Sequence, residues 1–231
     1  YGLRNGYQIN AANPASYSAV DSLTFLFDFG MSLQNANFKE NDVKTNAKNS
    51  TIDYIAMQFR LWERMGMTVG FLPYSIVGYN MNQVKSISTD EYGNPINSLS
   101  TYSGDGSLQQ VFMGLGFKVL ESLSVGANFS YLYGDITHSV NTTFSNTNAY
   151  SSVRSEKMEI SDYKLDFGLQ YTHKFGKKHK INLGAVYSFG HDLNGNGYNL
   201  KETYQSGSTI PMTQTVDTLK NAFSLPHSLG I

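Results

Sequence analysis

Apolar and polar residues alternate strictly along seven segments of the chain. In the first segment, residues 23–33, Phe25, Phe27 and Phe29 are interleaved with small or polar residues. The same period of two recurs in six later segments, which begin near Tyr54, Met67, Gln110, Leu123, Asp162 and Ile181. Alternation over roughly nine to eleven residues is typical of a tilted β-strand that crosses a bilayer, because successive side chains of a strand point to opposite faces.

Short and long connections alternate between these segments. The short ones are residues 62–65, 120–122 and 174–180, and the long polar ones are residues 35–50, 83–107, 135–161 and 191–220. A meander of membrane-crossing strands has this arrangement when its turns lie in the periplasm and its loops lie outside. Soluble sandwiches have shorter strands and no such alternation of loop length. We therefore predict an all-β fold, a transmembrane antiparallel β-barrel in the bacterial outer membrane.

The last segment, residues 223–231, begins an eighth strand. An open barrel in lipid would leave N–H and C=O groups of its edge strands unpaired, at several kcal/mol each. We therefore expect about eight strands in the given chain and an incomplete barrel at its C-terminal end. An eight-stranded barrel that closes by itself, with side chains filling its interior, is the alternative.

Composition agrees with strands rather than helices in the membrane. Charged residues make up 15% of the chain and aromatic residues 13%, while mean hydropathy is −0.31. No stretch approaches the roughly 20 consecutive apolar residues that a spanning helix needs. The balance of 17 basic and 18 acidic residues argues against nucleic acid as a partner.

No catalytic residue, metal site or cofactor is predicted. Cysteine is absent, which excludes a thiol nucleophile and a Cys-ligated metal. The five histidines show no metal-binding spacing, and no Gly-x-Ser-x-Gly motif marks a nucleophile. Residues 192–197 begin like a calcium loop, but Thr203 stands where the closing Glu is required, so a flexible turn is the preferred interpretation. We expect a protein that is not an enzyme.

Charged side chains also fall on the face opposite the apolar rows. Such charges are costly to bury, so they imply an internal salt-bridge network around a plug or a water-filled interior. The residues concerned are Asp28, Arg60, Lys118, Asp162, Lys164 and Asp166. A second group, Lys174, Lys177, Lys178 and Lys180, crowds one short turn and is interpreted as a solvated hairpin tip.

The stretch before the first strand, residues 1–21, is not strand-like. Its Asn13-Pro14-Ala15 element, followed by Tyr17, favours a compact irregular segment. An Asn-Pro-Ala tripeptide just ahead of the first aromatic-rich strand resembles the FadL-type long-chain fatty acid transporter family, also called the outer membrane protein transport family. The resemblance implies that residues 1–21 form a hatch inside a barrel of about fourteen strands. Residues 22–231 would then supply strands and long extracellular loops of that barrel.

The third strand carries Phe71, Leu72 and Pro73, with Gly78 further along. Proline lacks a ladder donor, so within a sheet it lies at an edge, a bulge or a kink. In FadL-like barrels the third strand has an inward kink that opens a gap in the wall, and the resemblance implies a lateral opening at these four residues. The alternative is that Pro73 lies near the loop, where strand pairing has already ended.

Taken together, the resemblance implies a porin-like channel for uptake of small hydrophobic molecules such as long-chain fatty acids. The ligand would bind beside Asn13, Pro14, Ala15 and Tyr17 and leave sideways into outer-membrane lipid at the kinked strand. Two alternatives stay open. One is a FadL-like barrel that acts as a partner subunit of an outer-membrane secretion or surface-assembly complex and contacts other outer-membrane proteins. The other is a structural or adhesive barrel.

Overall fold

A computed structural model describes residues 1–40, 42–89, 91–146, 148–176, 179–205, 208, 210–220 and 223–231. Most of these residues lie in antiparallel β-strands, and one 3-10 helix, Pro14–Ala19, precedes them. The first six strands are β1 (Phe25–Glu40), β2 (Val43–Trp62), β3 (Met65–Thr89), β4 (Pro95–Lys118), β5 (Leu123–Phe144) and β6 (Tyr150–Phe175). The others are β7 (His179–Ser188), β8 (His191–Leu193), β9 (Gly195–Gln205), β10 (Thr213–Lys220), β11 (Phe223–Leu225) and β12 (Ser228–Gly230).

The strands form an up-and-down meander. β1 to β7 follow one another in the order of the chain, and each pairs antiparallel with the next. β7 pairs with the C-terminal half of β6 and β9 with its N-terminal half, so β7, β8 and β9 together occupy a seventh position. β10, β11 and β12 return beside β9, β8 and β7 as an eighth. The predicted antiparallel all-β fold is therefore confirmed.

The sheet is open between its first and last positions. Within the described residues, β1 pairs only with β2, and the outer edge of β10 and β12 has no strand beside it. An open sheet of this size does not by itself show a barrel, so the predicted barrel, incomplete in the given chain, stays a prediction.

The short connections are found as predicted, whereas the long ones are not loops. Residues 62–65 and 120–122 form tight turns, and Lys177 and Lys178 of the third turn lie outside the described residues. The polar stretches predicted as long loops are mostly strand; β3 and β4, for example, pair all the way from Met65 to Thr89. Backbone ladders do not require apolar side chains, and a Ser- and Asn-rich sequence extends the hairpins. The 25 residues of β3 span about 80 Å, more than twice the thickness of a bilayer's hydrocarbon core.

The two faces of the sheet have inverted polarity near the short turns. On the outer face of β4, Val111, Met113, Leu115 and Phe117 are exposed, whereas the intervening residues are buried on the inner face. The buried polar side chains of that inner face are Gln58, Thr68, Gln110, Ser124, Asn128, Ser130, Asp166 and Gln170. The predicted separation of apolar and polar rows is therefore confirmed, and it is the reverse of the distribution in water-soluble proteins.

This polarity switches further along β5. The outer face of β5 reads Phe129, Tyr131 and Tyr133, and then Asp135, Thr137, Ser139 and Asn141. Its inner face reads Asn128 and Ser130, and then Leu132 and Ile136. Gly134 lies at the switch with φ +142, and a Cβ there would lie 2.1 Å from the carbonyl oxygen of Ser107. The apolar outer surface thus ends at a defined level, and the hairpins continue beyond it with a polar exterior.

A small hydrophobic cluster supports the projecting part of the hairpins from its inner face. Leu108, Ile136, Ile160 and Leu193 are buried there, on β4, β5, β6 and β8. The partly buried side chains packed against them are Val77, Met158, Phe223 and Leu225. This part of the sheet is therefore held by burial of apolar surface, as in a water-soluble domain.

A charge introduced at Met113, in the middle of the outer face of β4, tests whether that face lies in lipid. We expect Met113→Lys to lower the free energy of unfolding in phospholipid vesicles by about 2–4 kcal/mol, the usual cost of a lysine facing the bilayer midplane. Urea titration of the reconstituted protein measures it. The matched control is Asn141→Lys on the outer face beyond the switch, which should change stability by less than about 0.5 kcal/mol. Equal effects of the two lysines would contradict a lipid-facing belt.

Candidate functional site

The N-terminal segment, residues 1–20, lies across the inner face of the sheet, where its 3-10 helix contacts β3, β4, β5 and β6. The sequence explains the local conformation. Asn13 precedes the helix in an extended conformation, and its side-chain oxygen accepts a hydrogen bond from the backbone N–H of Ala15 at 3.0 Å. Pro14 occupies the first helical position, where its fixed φ is favourable and no donor is needed. Asn-Pro-Ala is thus a capped helix start.

A row of glycines on the sheet receives this helix. Gly66, Gly116, Gly126 and Gly168 are register partners on four consecutive strands, β3 to β6. A Cβ at Gly66 would lie 2.0 Å from the carbonyl oxygen of Tyr17, and one at Gly126 would lie 2.3 Å from the carbonyl carbon of Pro14. Contacts this short do not occur, so only glycine lets the two backbones approach so closely.

Polar side chains fasten the segment to the sheet at both ends. The Asn13 amide donates to the carbonyl oxygens of Tyr1 at 3.0 Å and Leu169 at 3.2 Å. Arg4 donates to the carbonyl oxygen of Ala15 at 3.0 Å and to Gln170 Oε1 at 3.2 Å. Gln58 of β2 donates to the carbonyl oxygen of Tyr17 at 3.2 Å. The buried polar groups of the inner face are thereby partly satisfied by the segment that covers them.

Tyr17 is the largest fully buried side chain of the interface, with 0% exposure. Its ring lies over Gly114, where a Cβ would come within 2.5 Å of it. Burial raises the pKa of Tyr17 above its ordinary value, so the phenol is neutral at physiological pH. Among the described residues its hydroxyl oxygen has no hydrogen-bond partner of acceptable geometry. Packing of the ring, rather than the hydroxyl, holds this residue in place.

A cavity of about 310 Å³ lies beside the segment. Leu72, Phe112 and Val186 contribute apolar surface to its lining, but Lys164 and Asp166 form an ion pair in the same wall. Ser188 donates a further hydrogen bond of 2.5 Å to Asp166. Both residues are among the charged side chains that were predicted on the inner face. An apolar ligand would have to lie against it, which differs from the apolar pocket expected next to the hatch.

β3 is continuous from Met65 to Thr89, but its pairing changes near Pro73. Pairing of β3 with β2 ends at Phe71, opposite Ile55, and the register with β4 shifts between Pro73 and Ser75. The missing N–H of Pro73 thus falls where β2 and β3 diverge. Leu72 lines the cavity, and Gly78 lies in regular pairing with Asp105. The break in pairing is present, and its use as a lateral exit stays a prediction.

Two further observations concern the described part of the chain. No cluster of three or more His, Asp or Glu side chains suitable for a metal ion is found there. Nor does that part include a helix with the length and apolar character required to cross a membrane.

The fold and the inner-face site define a class of protein: an antiparallel β-sheet with an apolar outer face that carries its own N-terminal segment on a polar inner face. A family model described as BamG matches residues 3–230, so the chain belongs to the BamG family. BamG is a family associated with the BAM complex of the outer membrane. Comparison with curated proteins and with solved structures found no match.

The family match corrects the sequence interpretation. The assignment to the FadL-type family is wrong, and the fatty acid and transport functions inferred from it conflict with the BamG family. The physical reason is that Asn13, Pro14 and Ala15 form the capped start of a short helix that packs on glycines of the sheet. This structural role accounts for the Asn-Pro-Ala element without a ligand. A ligand role for these residues and Tyr17 stays a prediction; the contacts observed for them are packing contacts and hydrogen bonds within the chain.

Sequence reasoning missed the partners of the segment on the sheet. Arg4, Gln58 and Gln170 were not singled out, because residues so far apart in the chain meet only once the register is known. The glycine row left one signal in the sequence: Gly116 and Gly126 lie at equal distances from the short turn at residues 120–122 and so become register partners. Gly66 has no such glycine partner across its own short turn, where it pairs with Arg60. A glycine on the polar face of each of several hairpin strands indicates close approach of another backbone.

Adding a methyl group at Gly126 tests the contact between helix and sheet. Because its Cβ would overlap the backbone of Pro14, Gly126→Ala should displace the N-terminal segment and lower the free energy of unfolding by about 1–3 kcal/mol. Limited proteolysis within residues 1–21 and thermal unfolding measure the two effects. Gly78→Ala is the control, since nothing lies within 4 Å of its Cβ position. Resistance of the Gly126 variant to proteolysis, equal to that of the control, would contradict the described packing.

Two substitutions at Tyr17 distinguish the contribution of its ring to stability from that of its hydroxyl. Tyr17→Ala removes a fully buried ring, and we expect a loss of about 3–5 kcal/mol. Tyr17→Phe removes only a hydroxyl without a partner of acceptable geometry among the described residues, and stability should change by less than about 1 kcal/mol. Chemical denaturation of both variants in the same detergent gives the comparison. A loss for Phe as large as that for Ala would show that the hydroxyl anchors the segment.

Proposed function

We propose that this protein is a non-enzymatic subunit that associates with the BAM complex, the assembly machinery of the outer membrane, and is embedded in that membrane. The observation that carries the proposal is the match of residues 3–230 to the BamG family. It corresponds to the alternative in which the barrel is a partner subunit of a surface-assembly complex. Its partners would be other outer-membrane proteins and membrane lipid, with no fatty acid ligand.

Embedding in the membrane is supported by the apolar outer face. On β5 this face runs from Leu123 to Tyr133, and its side chains from Val125 onward are exposed although several are large and apolar. Eleven residues of a strand tilted by about 45° cover about 25 Å, the height of the apolar band of outer-membrane barrels. Tyr131 and its register partner Tyr163 lie near the limit of the apolar face that is farthest from the short turns, where amphipathic rings favour the membrane interface. The short turns would face the periplasm and the long hairpins the exterior.

Closure into a barrel is part of the proposal. In lipid, the free backbone groups along β1 and along β10 and β12 would lack water as a partner. Pairing of these edges, with each other or with additional strands, removes that cost. The outward row of Phe25, Phe27 and Phe29 on β1 continues the apolar face up to the edge, which supports a lipid environment there as well.

The inner face supports a binding role better than a transport role. The N-terminal segment covers the part near the short turns, and the hydrophobic cluster around Leu108 and Ile136 covers the part beyond the switch. Between them lies the cavity with the Lys164–Asp166 ion pair. The surfaces left for partners are therefore external: the polar hairpins, which their own cluster keeps in a defined conformation, and the short-turn end.

Site-specific photo-crosslinking in the native membrane tests the proposed association. A photoreactive amino acid at Asn80 or Asn141, on the projecting hairpins, should yield crosslinks to subunits of the BAM complex, and the tagged protein should co-purify with its central barrel subunit in mild detergent. The same amino acid at Met113, within the lipid-facing belt, is the control and should give few protein crosslinks. Purification of the protein free of BAM subunits, with no crosslink at any hairpin position, would contradict the proposal. Such a result would favour a purely structural or adhesive barrel.

A further inference from the structure

A charged cleft of about 440 Å³ lies at the short-turn end of the molecule, between the N-terminal segment and the ends of several strands. Its lining includes more basic than acidic side chains. The basic ones are Arg4, Arg60, Lys118, Lys174 and Lys180, and the acidic ones are Asp21, Glu63 and Glu121. The cleft is separate from the cavity beside the Lys164–Asp166 ion pair.

Three of the five basic side chains are already engaged within the chain. Lys118 forms an ion pair with Glu121 at 2.6 Å. Arg60 donates to the carbonyl oxygen of Trp62 and to Ser22 Oγ, both at 3.0 Å. Arg4 is held by the N-terminal segment, as described above. These groups shape the cleft but have little freedom to bind another anion.

Lys174 and Lys180 differ from these three basic side chains in their position and exposure. They are direct register partners on β6 and β7, and both are exposed. Within the described residues neither forms an ion pair. Like charges placed directly opposite each other on paired strands destabilise the pair. An anion bound between them would remove this repulsion.

The two lysines face the interior side of the sheet. They continue the inner-face rows of Gln170 and Gly184, whereas their chain neighbours Phe175 and Ile181 occupy the exposed outer face. Phospholipid headgroups would border the outer face, so the cleft opens toward the space below the N-terminal segment and away from the lipid. This placement favours a polypeptide over a lipid as the occupant.

Charge is distributed unevenly along the molecule. Arg64 adds to the basic side chains at the short-turn end, although the whole chain has a net charge of −1. The remainder of the chain is therefore acidic, and the resulting field attracts anions to the short-turn end. Carboxylates are suited to this cleft because lysine and arginine bind them through charge-assisted hydrogen bonds.

We propose that the cleft binds an acidic, extended segment of a periplasmic partner protein, with Lys174 and Lys180 supplying the free positive charges. The proposal rests on the subunit role and on the orientation given above, and it identifies the chemistry of a partner at the end opposite to the hairpins.

Fluorescence anisotropy with a fluorescein-labelled Asp/Gly peptide tests the proposal on the full-length protein in neutral detergent. The protein should bind the peptide, and added NaCl should weaken binding because the contact is electrostatic. The double variant Lys174→Gln/Lys180→Gln should bind about tenfold more weakly. The matched control, Lys201→Gln/Lys220→Gln, removes two exposed lysines from β9 and β10, away from the cleft. It should bind the peptide like the unchanged protein.

Three outcomes would overturn the proposal: no binding of the acidic peptide, equal binding by the double variant and the unchanged protein, or binding of an Asn/Gly peptide of the same length with equal strength. Titration with vesicles of phosphatidylglycerol distinguishes a lipid occupant. Binding of these vesicles that depends on Lys174 and Lys180, without binding of the peptide, would replace the proposed partner by an anionic lipid. Failure of the peptide to bind would leave the crosslinks at the hairpins unaffected, so the two proposals fail separately.

Discussion

The structure depends on one constraint: near its short turns the sheet exposes apolar side chains and buries polar ones, which is stable only where water does not reach the outer face. The buried polar face then needs partners of its own. The N-terminal segment supplies many of them through Arg4 and Asn13, and the glycine row lets its backbone come close enough to reach them. In the proposed membrane setting, lipid outside and the segment inside are therefore two requirements of the same inverted sheet.

The switch of polarity near Gly134 divides β5 into an apolar-faced part and a polar-faced part. Below it, the sheet is suited to lipid; beyond it, the apolar residues turn inward and form the cluster around Leu108 and Ile160. The projecting part is therefore folded as a water-exposed β-structure rather than as free loops. The proposed association with an assembly complex would use such surfaces, whereas a transporter would need an open interior.

Much of the fold follows from the sequence because period-two alternation identifies the strands and the face that each side chain occupies. The segments around Met113 and Phe129 and the short turns were predicted on that basis, whereas a break in pairing at Pro73 was predicted from the missing N–H of proline. The strand extensions were missed because Ser, Thr and Asn are common to loops and to solvated hairpins. The switch was missed as well, although Leu132 and Ile136 occupy the opposite parity from Phe129 and Tyr131. Contacts such as Arg4 with Gln170 depend on the register of distant strands and cannot be derived from local pattern.

The most direct measurement of the central claim is depth-dependent quenching of tryptophan fluorescence in reconstituted protein. The chain has a single tryptophan, Trp62, so a Trp62→Phe background allows one new tryptophan to be placed at position 113 or at position 141. The account predicts that acyl-chain-brominated lipid quenches the tryptophan at position 113 and that aqueous iodide quenches the one at position 141. Quenching of both by iodide, with neither affected by brominated lipid, would contradict a lipid-facing sheet.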